Sequence, residues 1–220
     1  MILTPSGDVS PWLSLGAAVL GFVLSPLAEL LIARTMPRLG DLPALPVRIT
    51  TAAVTGAACA AFALRFGSAP ELPAFLLLGI LGAQLARTDL TQHLLPNPLV
   101  LALLAGGALL LVLAWAVSGY ATGLVRGLLG AAILFAAYLM LALISPSGLG
   151  MGDVKLAGPL GLYLGYLGWS HLLYGALLGF ILNGVITLGL VSVRRRGKGT
   201  EVAHGPSMLA AAAGVALLLD

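Results

Sequence analysis

Long apolar runs broken by short polar stretches dominate this chain, and eight of them can be drawn. They cover residues 12–32, 47–66, 72–86, 99–117, 123–144, 156–167, 172–193 and 208–219. A run of about 20 apolar residues is the length of a helix crossing a hydrocarbon core of about 30 Å. The pattern therefore predicts an all-α, polytopic membrane helix bundle with about eight transmembrane segments. The third, sixth and eighth runs are short for a span, so their helices must extend into flanking residues or the bilayer must thin around them. The longest polar stretch, 194–207, is a loop and no more. We expect one transmembrane domain over 1–220.

Composition supports lipid as the solvent. The chain of 220 residues is 60% hydrophobic and 9% charged, against about 25% charged in a soluble domain. A net charge of +3 could suggest nucleic acid in a soluble protein. Here the basic residues fall between apolar runs, so we read them as topology signals and expect no nucleic-acid partner. The single cysteine, Cys59, reads as a small packing residue, and one cysteine forms neither an internal disulfide nor a zinc pair. The N-terminus has no basic region ahead of its first long apolar run, so we expect a span there rather than a signal peptide.

Lysine and arginine placement sets the orientation. With the N-terminus outside and the runs alternating, the cytosolic ends hold Arg34, Arg38, Arg48, Arg87, Lys155, Arg194, Arg195, Arg196 and Lys198. Only Arg65 and Arg126 remain outside. The bias is that of the positive-inside rule, and dropping any one short span would break it.

Most acidic residues fall in loops or at the termini, where water explains them. Glu29, Asp89 and Asp153 do not. Asp89 closes the third run and precedes Pro96-Asn97-Pro98, a turn with Asn97 expected as N-cap and Pro98 at the first helical position. Asp153 follows Gly148, Gly150 and Gly152 in a loop that opens the sixth run. The topology puts both aspartates on the cytosolic face. Two carboxylates that meet there would share a proton, one acting as base on a water and the other as acid. Equally, Asp153 alone fits a helix N-cap and Asp89 a solvated charge at a helix end. Lys155 would either tune an aspartate or anchor the helix at the interface. Glu29 would either pair with Arg34 or attract a basic peptide. The three histidines, His93, His171 and His204, read as loop polarity without metal-ligand spacing, and most glycines as packing residues.

The stretch Gly150-Met151-Gly152-Asp153-Val154-Lys155-Leu156 closely resembles the G-x-G-D-x-K-L signature of type IV prepilin peptidases, which are GxGD-type intramembrane aspartic proteases. Asp89 ahead of Leu95-Pro96-Asn97 resembles that family's first catalytic segment, and Gly205-Pro206-Ser207 is similar to its Gly-Pro-Phe. The resemblance covers about 72–219. It implies Asp89 and Asp153 as the catalytic pair, with Gly150, Gly152, Lys155, Pro96, Asn97, Gly205, Pro206 and Glu29 as substrate-binding or supporting residues. The implied substrate is a type IV or Flp-type prepilin or pseudopilin, cut on the cytosolic side of a prokaryotic cell membrane, with pilus or secretion machinery as a possible partner. No metal or cofactor is implied for the cleavage.

The first 71 residues depart from the longer family members. Those carry a cytosolic domain, often with two C-x-x-C pairs, between the first two spans. Here that loop runs from about Arg34 to Pro46 without cysteine, and Glu29 takes the place of an asparagine. The departure implies a compact peptidase. S-adenosylmethionine would be needed only if the relatives' N-methyltransferase activity were retained, which is the alternative reading. A transporter or assembly protein with ion-binding aspartates would instead predict broken helices in paired repeats, and none is visible. A presenilin-type protease would carry Tyr-Asp and Pro-Ala-Leu, whereas Thr88 precedes Asp89 here.

Overall fold

The structure is a computed structural model that describes residues 10–36, 42–145, 149–193 and 203–220. Among these residues every regular element is a helix. In chain order they are α1 (Pro11–Thr35), α2 (Leu45–Phe66), α3 (Leu72–Gln92), α4 (Asn97–Ser118), α5 (Ala121–Ile144), α6 (Met151–Leu167), α7 (Trp169–Val193) and α8 (Gly205–Leu218). Six of them are long and apolar enough to cross a membrane. The remaining two, α6 and α8, have 17 and 14 residues. The chain is a multi-pass membrane protein with an all-helical fold. Arg38, Arg194, Arg195, Arg196, Lys198 and Gly148 lie outside the described residues.

The short α6 is surrounded by protein. All its residues from Leu156 to Tyr166 are buried, and it packs against α4, α5, α7 and α8. At 1.5 Å per residue it is about 25 Å long. Protein neighbours, rather than lipid, set the length such a helix needs. Its tightest partner is α5, where the seam is built from glycine. A Cβ added at Gly130 would lie 2.5 Å from the Gly161 carbonyl oxygen, and one at Gly165 would lie 2.7 Å from that of Arg126. Only hydrogen fits there, as in small-residue membrane helix packing. Arg126 then closes the far end of α6. Its guanidinium donates to the carbonyl oxygens of Gly165, Tyr166 and Leu167 at 2.7, 2.5 and 2.8 Å. These are carbonyls that a helix C-terminus leaves unpaired.

The third helix does not stop at Ala86, where hydropathy does. It continues through Arg87, Thr88 and Asp89 because each polar side chain finds a partner inside the protein. Thr88 Oγ1 donates to the carbonyls of Gln84 and Leu85 at 3.0 Å, and Arg87 donates to Gln84 Oε1 at 3.2 Å. The helix ends at His93, which adopts a left-handed conformation (φ 52°) with its N–H on the Asp89 carbonyl.

The helices alternate in direction. The C-terminal ends of α1 and α3 meet the N-terminal ends of α2, α4, α6 and α8 at one end of the bundle, as the contacts of Glu29, Asp89 and Lys155 require. The opposite end holds Arg65, bonded to the Leu219 carbonyl at 3.0 Å, and Arg126. The aspartate-bearing helices α3 and α6 are bridged by α4 and α8, each of which packs against both.

Candidate active site

Asp89 and Asp153 come together where α3, α6 and α8 meet. Asp153 is the third residue of α6, one turn from the Gly150 N-cap, and its own N–H donates to the Gly150 carbonyl at 3.1 Å. The carboxylate thus stands in the first turn of α6, where the positive end of the helix favours it. Asp89 lies in the last turn of α3, where the helix end offers only carbonyls. Its support comes from elsewhere in the chain, as the Gly205 N–H at the start of α8 donates to Asp89 Oδ2 at 3.1 Å. The two carboxyls are close enough for their charges to act on one another. Both residues are buried, with 6% and 9% exposure.

The flanking motif residues have steric roles. A Cβ on Gly205 would lie 2.6 Å from Asp89 Oδ2, so glycine lets the backbone approach the carboxylate. Leu95 fits between the glycine turns. Its side chain would lie 3.1 Å from a Cβ on Gly152 and 3.3 Å from one on Gly205. Leu95-Pro96-Asn97 thus packs between the two aspartate-bearing regions. Pro96 is the N-cap of α4, and Pro206 lies in the first turn of α8.

Three expectations are corrected. Asn97 is the first residue of α4 and its side chain does not cap the helix; its Oδ1 accepts from Lys155 Nζ at 2.9 Å. The ammonium takes the carbonyl that capping would have used. Lys155 therefore ties α6 to α4, and no ion pair joins it to Asp153 among the described residues. Glu29 pairs with Arg48 at 3.0 Å and lies 3.8 Å from Arg87, not with Arg34. It is 1% exposed. Arg34 lies beyond Glu29 along α1, whereas Arg48 and Arg87 reach Glu29 from the helices packed against it. His93 is exposed, as a loop histidine should be, but His171 and His204 are buried. His171 Nε2 meets the Leu219 carbonyl at 3.2 Å, and His204 Nε2 meets the Tyr138 hydroxyl at 3.4 Å.

Two features near the site were missed in the sequence. Tyr138, in the middle of an apolar run, is 2% exposed and its hydroxyl lies 3.4 Å from His204 Nε2. The network of Ser25, Gln84 and Arg87 behind Asp89 joins residues of α1 and α3: Gln84 Nε2 donates to Ser25 Oγ at 3.0 Å. A polar Gln84 inside a span was the available hint. Among the described residues, no three His, Cys, Asp or Glu side chains cluster to hold a metal ion.

Residues 74–188, which include both aspartates, match the type IV leader peptidase family. A prepilin leader peptidase/N-methyltransferase of Aeromonas hydrophila is 33% identical over 173 residues, covering 78% of this chain and 57% of that protein. One from Aeromonas salmonicida strain A449 is 34% identical over 151 residues, covering 67% and 49%. The chain spans about half the length of these curated relatives. No solved structure matches it. On the family match over more than half its length, the chain belongs to the type IV leader peptidase family.

Proposed function

We propose that this protein is an aspartic endopeptidase that removes the leader peptide of prepilin- or pseudopilin-type substrates, with Asp89 and Asp153 as its catalytic pair. The observation that carries the reading is the placement of these two buried carboxyls at one end of the bundle, Asp89 held by the Gly205 N–H and Asp153 in the first turn of α6. Two carboxyls brought into contact share a proton. The ionised partner takes a proton from a water as it attacks the scissile carbonyl, and the protonated partner donates to that carbonyl oxygen. Collapse of the tetrahedral intermediate then needs a proton on the leaving nitrogen, which the dyad supplies. The pair titrates as one unit, so neither role is fixed to one residue.

The site faces the cytosol of a prokaryotic cell membrane. Support comes from the basic residues: Arg34, Arg48, Arg87 and Lys155 stand at the dyad end, Arg65 and Arg126 at the other. The substrate is a prepilin delivered through the bilayer, and the pilus or secretion machinery takes the product. The relatives' names include an N-methyltransferase. The connection between α1 and α2, residues 36–44, leaves no room for a domain there, and we favour peptidase activity alone.

Co-expression with a prepilin tests the reading by the mobility shift of leader removal. Wild type should give the shift, and Asp89→Asn and Asp153→Asn should each abolish it while still inserting in the membrane. Full processing by either variant would sink the dyad. The mass of the mature pilin N-terminus should be unmodified, and an added methylene would restore the bifunctional reading.

A further inference from the structure

The peptide joining His204 to Gly205 carries the donor on which Asp89 depends. Its N–H binds Asp89 Oδ2 at 3.1 Å, and its carbonyl accepts the Met208 N–H at 3.1 Å. The next residue, Pro206, has no N–H to offer instead. No side chain caps α8 at this end, so the helix's own first turn holds the peptide by its carbonyl alone. The remaining hold on it comes from the His204 ring.

His204 is 7% exposed and belongs to a cluster of three rings drawn from three parts of the chain. Its ring centre lies 5.1 Å from that of Phe180 on α7 and 6.0 Å from that of Tyr138 on α5, and those two are 5.2 Å apart. No pair is tilted by more than 35°. At these separations aromatic rings attract one another. The nitrogens are held less well than the faces. Nε2 lies 3.4 Å from the Tyr138 hydroxyl, at the long end of hydrogen bonding, and Nδ1 is buried without a partner among the described residues. Ring packing, more than hydrogen bonding, therefore fixes His204.

We propose that Tyr138, Phe180 and His204 form an aromatic clamp that positions the Gly205 N–H on the Asp89 carboxylate. His204 is the positioning residue, and it acts through the packing of its ring. The inference rests on the dyad reading. Asp89 sits at a helix end that offers only carbonyls. Through the clamp it draws on α5 and α7 for a donor that its own helix cannot supply. The other ionisable groups near Asp89 are Asp153 from α6, His93 one turn further along the chain and His204 itself. Lys155 on α6 is exposed and bonded to Asn97, and Arg87 lies 3.8 Å from Glu29 on α1.

Four variants test the clamp. His204→Phe keeps the ring and drops the nitrogens, so it should process prepilin at close to the wild-type rate. His204→Ala and Phe180→Ala each open the clamp. In both, kcat should fall about ten- to a hundredfold with KM within about twofold, the order of misplacing a reacting group. Phe180 is 40% exposed, so its truncation should leave the bundle folded. Tyr174→Ala is the control, 48% exposed on the same helix and outside the clamp, and should match wild type. A second measurement does not need turnover. A membrane-soluble carbodiimide labels protonated carboxyls, and mass spectrometry follows the label on Asp89 as pH is raised. The Gly205 N–H favours the ionised carboxylate. A misaimed donor should therefore move the labelling midpoint about one pH unit higher in His204→Ala and Phe180→Ala, and leave it in place in His204→Phe. A wild-type midpoint or a wild-type kcat in either alanine variant would overturn the proposal. So would His204→Phe behaving like His204→Ala, which would give the role to the nitrogens. If the wild type cleaves no prepilin, the leader-peptidase reading falls, and the labelling midpoint still decides the clamp.

Discussion

At the scale of single residues, Gly205 does two things at once. Its N–H binds Asp89 Oδ2, and its missing side chain makes that bond possible, since a Cβ would come within 2.6 Å of the same oxygen. Gly205→Ala should therefore displace the carboxylate while leaving the helix intact. We expect kcat for leader removal to fall about a hundredfold, the order associated with misplacing a reacting group by 1 Å. The melting temperature in detergent should change little by comparison. Glu29 makes the opposite prediction. It is buried between Arg48 and Arg87, with Oε1 lacking a hydrogen-bond partner. Removing one member of a buried charged set costs about 3–5 kcal/mol, and both arginines keep partial access to water, so Glu29→Ala should lie near 3 kcal/mol. A thermal-shift measurement checks this, and a Tm equal to wild type would show that the cluster adds nothing to stability. Asp89, Asp153 and their glycines were legible in the sequence because charge is scarce in an apolar chain and the motifs are local. The partners of Glu29 and the contact of Tyr138 with His204 were not. Arg48 and Arg87 reach Glu29 from other helices, and a tyrosine in an apolar run looks like any packing residue until its hydroxyl has an address.

At the scale of helices, the apolar runs located the elements but not their ends. Hydropathy stops at Ala86, while α3 continues to Gln92 because Thr88 bonds back to the Gln84 carbonyl and because Gln84 and Arg87 find Ser25 and Glu29 on α1. The sequence has no way to mark a polar residue whose partner lies on another helix. The same holds for α6, whose short glycine-rich run looks too weak for a span and yet is one of the most buried elements. Its seam with α5 makes a sharp prediction. At Gly161 a Cβ would collide with the Gly130 backbone, a contact between two main chains that no rotamer can relieve. Gly161→Leu should destabilise by more than the 1–3 kcal/mol of ordinary overpacking, with loss of folded protein seen by size-exclusion profile in detergent. At Gly184, on α7, no heavy atom lies near the added Cβ. Gly184→Ala should be neutral by the same measurement and serves as the control. Arg126→Met tests the other end of α6. Three carbonyls lose a charged donor at once, and a cost of at least about 2 kcal/mol is expected in the same thermal-shift assay.

At the scale of the whole molecule, the orientation of the dyad relative to the membrane remains the claim on which the substrate reading depends. A leader peptide can be cut before its substrate is translocated only if the aspartates face the cytosol. The argument for that orientation uses charge alone. Basic residues stay on the side where translocation is not required of them, and four described cations stand at the dyad end against two at the other. The two at the far end are also the ones with structural employment. Arg126 caps α6 and Arg65 holds the Leu219 carbonyl, so packing explains both exceptions. A direct test can use introduced cysteines, because the native Cys59 is fully buried and contributes little background. Leu94 and Ser170 are exposed at opposite ends of the bundle, Leu94 just past α3 and Ser170 at the start of α7. In intact cells an impermeant maleimide should label Ser170→Cys and spare Leu94→Cys. After permeabilisation both should label, which separates shielding by the membrane from shielding by the protein. Labelling of Leu94→Cys in intact cells would turn the bundle over. The dyad would then face away from the cytosol, and its substrate would have to be a peptide that has already crossed.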